Sequence, residues 1–144
     1  MNTGLGLKIK HIVNLLDKRR YAVFARDGFE YISYSAFCVL KYLREHKMDA
    51  VSQKDIENAL MANRATVSKM LQQMEKNGCI RRTASRKDRR EKNLTLTDAG
   101  EELYLHNVTC AVELDTQIAE ILDEKDFEDF ERIYRKLICG LTDN

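Results

Sequence analysis

The sequence predicts a mainly α-helical fold with one small β-hairpin, on three observations. Proline is absent and glycine is scarce, at 6 of 144 residues, which favours long unbroken helices over a fold of many tight turns. Apolar residues recur at helical spacing through most of the chain. Between residues 79 and 96 that rhythm gives way to two short strand-like runs around a charged loop.

The elements follow in order. From Leu7 to Phe24, apolar residues fall at Ile9, Ile12, Val13, Leu16, Val23 and Phe24 with Lys and Arg between them, and Asp27-Gly28 ends this helix. Ser33 caps a second helix through Arg44, buried through Ala36, Phe37, Leu40 and Leu43. Ser52 to Asp55 is a capping box that opens a short helix with Ile56, Ala59 and Leu60 facing inward. Asn63 caps the next helix, with Val67, Met70, Leu71 and Met74 on its inner face and Gly78 as its stop. Cys79–Thr83 and Lys92–Leu96 read as strands joined by the loop 84–91. Thr97 caps a long helix carrying Leu103, Cys110, Ala111, Leu114, Ile118, Ile121 and Leu122. Asp123 to Asp126 starts a last helix with Phe127, Phe130, Tyr134, Leu137 and Leu141 on one stripe.

Composition narrows the class of function. Hydrophobic residues make up 44% and charged residues 33%, enough for a folded core. No apolar run is long enough to cross a bilayer, and the opening MNTGLGLKIKHIVNLLDKRR places charges inside its apolar stretch, unlike a secretory leader. No membrane partner and a cytoplasmic location are expected. The four cysteines lie far apart without a C-x-x-C, so reduced thiols are expected rather than a disulfide scaffold or a zinc ribbon. No G-x-S-x-G, P-loop or dinucleotide fingerprint is present, so neither an enzyme nor a bound cofactor is expected.

Net charge is only +1, but it is unevenly spread. Residues 63–92 hold 10 basic and 3 acidic groups, whereas residues 97–144 hold 4 basic and 13 acidic. A basic block of this kind suits a phosphate-binding surface, and the acidic tail is better placed away from one.

Two short helices joined by a tight turn, then a basic hairpin, make a winged helix-turn-helix. The second helix of such a pair must fit a major groove about 12 Å wide with short polar or basic side chains near its start. The helix capped by Asn63 offers Arg64, Ala65, Thr66, Ser68, Lys69, Gln72 and Gln73 on its outer face. In the hairpin, Arg86, Lys87, Asp88, Arg89 and Arg90 form the tip, where arginine can enter a narrow minor groove. Double-stranded DNA is the expected partner. A winged helix that binds proteins is the alternative from another class, and a net basic recognition helix and wing argue against it.

The run from Ser52 to Gly100 resembles the central signature of MarR regulators. It contains Asn63-Arg64-Ala65-Thr66-Val67-Ser68, Met74-Glu75-Lys76-Asn77-Gly78-Cys79-Ile80-Arg81, Asp88-Arg89-Arg90 and Leu96-Thr97-Asp98-Ala99-Gly100. Ile32 to Leu40 is similar to another family run, with Ala36 where the family has glutamine. The resemblance implies that Arg90 is the minor-groove arginine and that Asp88 braces it. It also implies an obligate homodimer on a pseudopalindromic operator. The organisation expected is a dimerisation helix over 1–32, the winged helix-turn-helix over 33–98 and dimerisation helices over 99–144. A repressor released by a small-molecule effector is expected.

Three inputs are open for the signal. The resemblance implies a cleft between the dimerisation and DNA-binding regions, with Arg20, Tyr21, Tyr34 and Phe37 at its wall, where a small organic anion suits an arginine beside tyrosines. Plain core packing is the alternative for each of these residues. A thiol-redox input points to Cys79, whose pKa the neighbouring Arg81 and Arg82 would lower. A metal input points to Glu102, His106 and Cys110, which share one helix face but still need another ligand.

Overall fold

The computed structural model describes residues 4–86 and 90–142. Its elements are α1 (Leu5–Arg26), α2 (Tyr34–Glu45), α3 (Gln53–Leu60), α4 (Arg64–Lys76), β1 (Ile80–Ala84), β2 (Lys92–Leu96), α5 (Asp98–Ala119) and α6 (Glu124–Thr142). The chain divides into two compact units, one of residues 20–110 and one of residues 1–19 with 111–144.

In the unit 20–110, local polar chemistry starts each helix where the sequence placed a cap. Ser33 Oγ accepts from the Ala36 amide at 3.2 Å, and Asn63 Oδ1 accepts from the Thr66 amide at 2.9 Å. At α3 the box is reciprocal: the Ser52 amide donates to Asp55 Oδ2 at 2.7 Å, and the Asp55 amide donates to Ser52 Oγ at 3.3 Å. The Ser52 backbone N–H, then its hydroxyl, hold the Asp55 carboxyl below its usual pKa. Phe24, Val39, Leu40, Leu43, Ile56, Val67 and Leu71 fill the core. α3 is a single short stretch that ends in a left-handed Met61 (φ 48°). Its last turn therefore leaves the core. Ile56 is buried, but Leu60 is only half-buried and Ala59, expected inside, is exposed.

β1 and β2 pair antiparallel from Ile80↔Leu96 to Ala84↔Lys92. Val51 adds a single-residue bridge to Leu94, whose amide donates to the Val51 carbonyl at 2.7 Å. The hairpin closes on one joint. Thr97 Oγ1 donates to the Gly78 carbonyl and accepts from the Gly100 amide, while the Thr97 amide donates to the Cys79 carbonyl at 3.2 Å. Gly100 sits so close that a Cβ there would collide with the Cys79 carbonyl oxygen.

The unit of residues 1–19 and 111–144 is built differently. Arg19 donates to Gln117 Oε1 at 2.8 Å, and Asp123 and Asp126 cap each other across the start of α6. Leu114 is buried, but α6 buries no residue. Ile9, Ile12 and Val13 on α1, and Phe127, Phe130, Tyr134, Ile138 and Leu141 on α6, all face solvent in the single chain. Among the described residues no helix is long and apolar enough to cross a membrane.

Candidate nucleic-acid interface

α4 owes its orientation to Val67, Leu71 and Met74, which are buried at i, i+4 and i+7. Turning these inward leaves Arg64, Ala65, Thr66, Lys69, Gln72 and Gln73 exposed, with Ser68 half-buried. Two of the expected contact residues are also engaged locally. Asn63 is the cap, and Gln73 donates to Asn77 Oδ1 at 2.8 Å. The open amides of the first turn lie at the same end as Arg64, a favourable place for an anion.

The wing follows within the same unit. Arg86 and Arg90 are exposed near its tip. Lys87, Asp88 and Arg89 lie outside the described residues. Strand alternation turns Arg81 outward and Arg82 inward. Arg82 Nε lies 3.2 Å from Glu75 Oε2, joining the wing to the far end of α4.

The residues proposed for signal input fall in separate places. Arg20 donates to Asn107 Oδ1 at 3.0 Å and lies over the Tyr31 ring, against which Tyr21 also packs. Phe37 stacks on Tyr104 with centroids 5.6 Å apart, and Tyr34 packs beside Phe37. A 590 Å³ pocket runs along α4. Its lining includes Tyr31, Ile32, Met70, Met74, Cys79 and Leu103, the charged Glu30 and Lys69, and Thr66 and Gln73 from the outer face of α4, but none of Arg20, Tyr21, Tyr34 and Phe37.

Cys79 differs from expectation in its electrostatics. Burial, then the nearby Glu30 carboxylate, push its thiol pKa up rather than down. The cations expected to lower it are turned elsewhere: Arg82 is paired with Glu75 and Arg81 is exposed. The row on α5 also separates by environment. Glu102 is exposed and Cys110 is buried. The His106 ring stacks on Phe29 at 4.0 Å, with Phe24 edge-on at 4.7 Å and Asp27 Oδ2 3.8 Å from Nε2. Among the described residues, no three His, Cys, Asp or Glu side chains are grouped to hold a metal ion.

A capped helix pair that exposes the polar face of its second helix, with a basic hairpin beside it, defines a winged helix-turn-helix protein that binds DNA. The comparisons make the class particular. The family model described as MarR family matches residues 32–92. The chain is 31% identical over 115 residues to the HTH-type transcriptional regulator PapX of Escherichia coli, covering 78% of this chain and 68% of that protein. It is 33% identical over 113 residues to the regulator PecS of Dickeya dadantii, covering 78% and 66%. Among solved structures, an S. aureus MepR–DNA complex is similar with a TM-score of 0.75 at 23% identity, over 98% of this chain and 99% of that one. The heme sensor PefR from Streptococcus agalactiae, in complex with heme, is similar in fold with a TM-score of 0.77 at 24% identity, over 95% and 92%. This chain belongs to the MarR family of DNA-binding transcriptional regulators.

Proposed function

We propose that two copies of this chain bind an inverted repeat in double-stranded DNA in the cytoplasm, repress transcription there by binding alone, and let go when a small organic effector binds. In each copy Arg64, Ala65, Thr66, Ser68, Lys69 and Gln72 enter the major groove. Asn63 and Gln73 shape the two ends of that surface. The wing, with Arg86, Lys87, Asp88, Arg89 and Arg90, follows the neighbouring minor groove, Arg90 entering it and Arg86 meeting phosphate.

One observation carries this reading: the polar face of α4 and the basic wing stand in the same compact unit, fixed by the Thr97 joint and the Arg82–Glu75 pair. The apolar faces of α1 and α6 support a homodimer, because a second copy would remove them from water. The pocket along α4 supports an effector with an apolar body, and its charged groups, Lys69 and Glu30, suit an anionic group on the lysine side and a hydrogen-bond donor on the carboxylate side. Thr66, Lys69 and Gln73 line that pocket and also belong to the DNA-facing side of α4, so filling it would disturb DNA contacts, and DNA and effector would weaken each other by one common factor.

The test is selection of bound duplexes from a random pool with the purified protein, alongside its mass in solution. An inverted repeat bound by a dimer is expected. A monomer that holds single half-sites at full strength would refute the reading. Operator release is then titrated with aromatic carboxylates, peroxide and zinc. Release by the carboxylates is expected. Release by peroxide alone that Cys79→Ser abolishes would replace the effector with a thiol, and release by zinc alone that His106→Ala abolishes would replace it with a metal.

A further inference from the structure

A cleft of 340 Å³ opens between α3, the first residue of α4 and the inner face of the wing, and Lys54, Arg64, Arg82, Arg90 and Lys92 line it. Strand register explains why the wing turns cations inward here. Arg82 pairs with Leu94 and Ala84 with Lys92, so these four share one face of the hairpin. That face is apolar at its base, where Ile80 and Leu94 are buried, and becomes basic toward the tip. From the other side, α3 presents Lys54 one turn ahead of Glu57.

The cleft also contains two carboxylates, Glu57 and Glu91. Glu57 is already held, by Lys54 at 3.6 Å and by Gln53 Nε2 at 3.2 Å. The balance is a surplus of positive charge around a space with no apolar floor beyond Leu94. Arg82 sharpens the point. Its side chain is only 18% exposed, and its Nε, although 3.2 Å from Glu75, is not aligned for a hydrogen bond. Its buried Nη2 has no hydrogen-bond partner among the described residues. A buried guanidinium donor without an acceptor is costly, and a side-chain shift that brings it to an oxyanion in the cleft would supply one.

We propose that this cleft seats a backbone phosphate of duplex DNA, with Lys54, Arg82 and Lys92 as contacts beyond the recognition helix and the wing tip. The inference rests on the DNA-binding reading and deepens it. A phosphodiester strand fits better than an isolated anion. A second groove between α3 and α4 shares Lys54, Glu57 and Arg64 with the cleft and continues to Asn63, so the two depressions form a track across the helix pair. The phosphate here clamps the duplex between α3 and the wing. It fixes register and strength of binding and leaves base preference to α4.

The test measures the affinity for a mixed-sequence duplex and for a selected operator against salt concentration, with wild type, Lys54→Gln, Lys92→Gln and the double variant. Lys54 suits substitution because its side chain is 76% exposed, and Glu57, whose side chain is 11% exposed, keeps the Gln53 amide as a donor when the lysine is replaced. Each single variant is expected to flatten the slope of log affinity against log salt by about one, which is roughly an eightfold loss at 0.1 M salt, and the double variant by about two. The preference for operator over mixed sequence should stay at the wild-type ratio, and Lys54→Arg should restore the slope. Unchanged slopes in both single variants, while Lys69→Gln on α4 weakens binding, would overturn the proposal and leave the DNA-binding reading intact. Wild-type protein that binds no duplex at any salt would overturn both. Tight binding of inorganic pyrophosphate, lost in Lys54→Gln without any change in the DNA slope, would assign the cleft to a free anion and overturn the proposal.

Discussion

The two units of this chain spend their apolar residues in opposite ways. In residues 20–110 the apolar stripes of α2, α3 and α4 meet one another and the hairpin, so Leu40, Ile56, Val67 and Leu71 have almost no exposed surface. In residues 1–19 and 111–144 the stripes are as regular, yet Ile12, Phe130, Tyr134 and Leu141 face water. The same helical periodicity thus yields a finished core in one region and an unfinished one in the other. Periodicity states which face is apolar. It does not state what covers that face, and here a second copy is the proposed cover.

That contrast can be broken experimentally, and the largest effect should come from the finished core. Leu71→Ala leaves a cavity under the recognition helix and should cost about 2–5 kcal/mol in denaturant unfolding. Trimming the unfinished face should act on association instead. Phe130→Ala is expected to weaken dimerisation by about 2 kcal/mol, near thirtyfold, as measured by sedimentation. A Phe130→Ala variant with unchanged self-association would show that α6 needs no second copy.

A smaller effect distinguishes the units through their caps. Ser52→Ala should cost about 1 kcal/mol by removing half of the α3 box. The folded pKa of Asp55 lies below its unfolded value of about 3.9, so its contribution is in place above that pH and is lost as pH falls through the lower folded value. Asp55→Asn should therefore flatten the acid limb of stability between pH 4 and the folded pKa, read by thermal melts across that window. The smallest effect is expected on α6, where the Arg132–Asp129 pair is solvent-exposed at 2.8 Å. Arg132→Ala should change stability by no more than about 0.5 kcal/mol.

Much of the fold was legible because its boundaries are local chemistry. Ser33, Ser52, Asn63 and Thr97 all cap in the structure as their positions in the sequence suggested, since a cap needs only an oxygen and an amide two or three residues on. Ala59 shares a helical stripe with Ile56 but lies in the last turn of α3, just ahead of the left-handed Met61, where the helix has run past the core, and a stripe alone does not show where the core stops. The Val51–Leu94 bridge gave no signal, because one paired residue has no period. The outer face of α4 was legible for the same reason as its inner one. The cation-lined cleft was not, because it depends on the register of the hairpin and on which of two adjacent arginines turns inward. Cys79 shows the same limit: its sequence neighbours are cations, but burial and Glu30, far away in sequence, set its direction.

The joint at Thr97 has a consequence for how such a regulator can change. Because Gly78, Cys79, Thr97 and Gly100 meet at one point, the hairpin leaves the body of the protein and returns to it at the same place. Residues can be added or removed between Ala84 and Lys92 without altering the path from α4 to α5. Loop closure is forgiving as well, since doubling a loop's length costs only about 0.6 kcal/mol. The wing is therefore an exchangeable part, whose length and charge can drift toward new DNA targets while the rest of the unit keeps its shape.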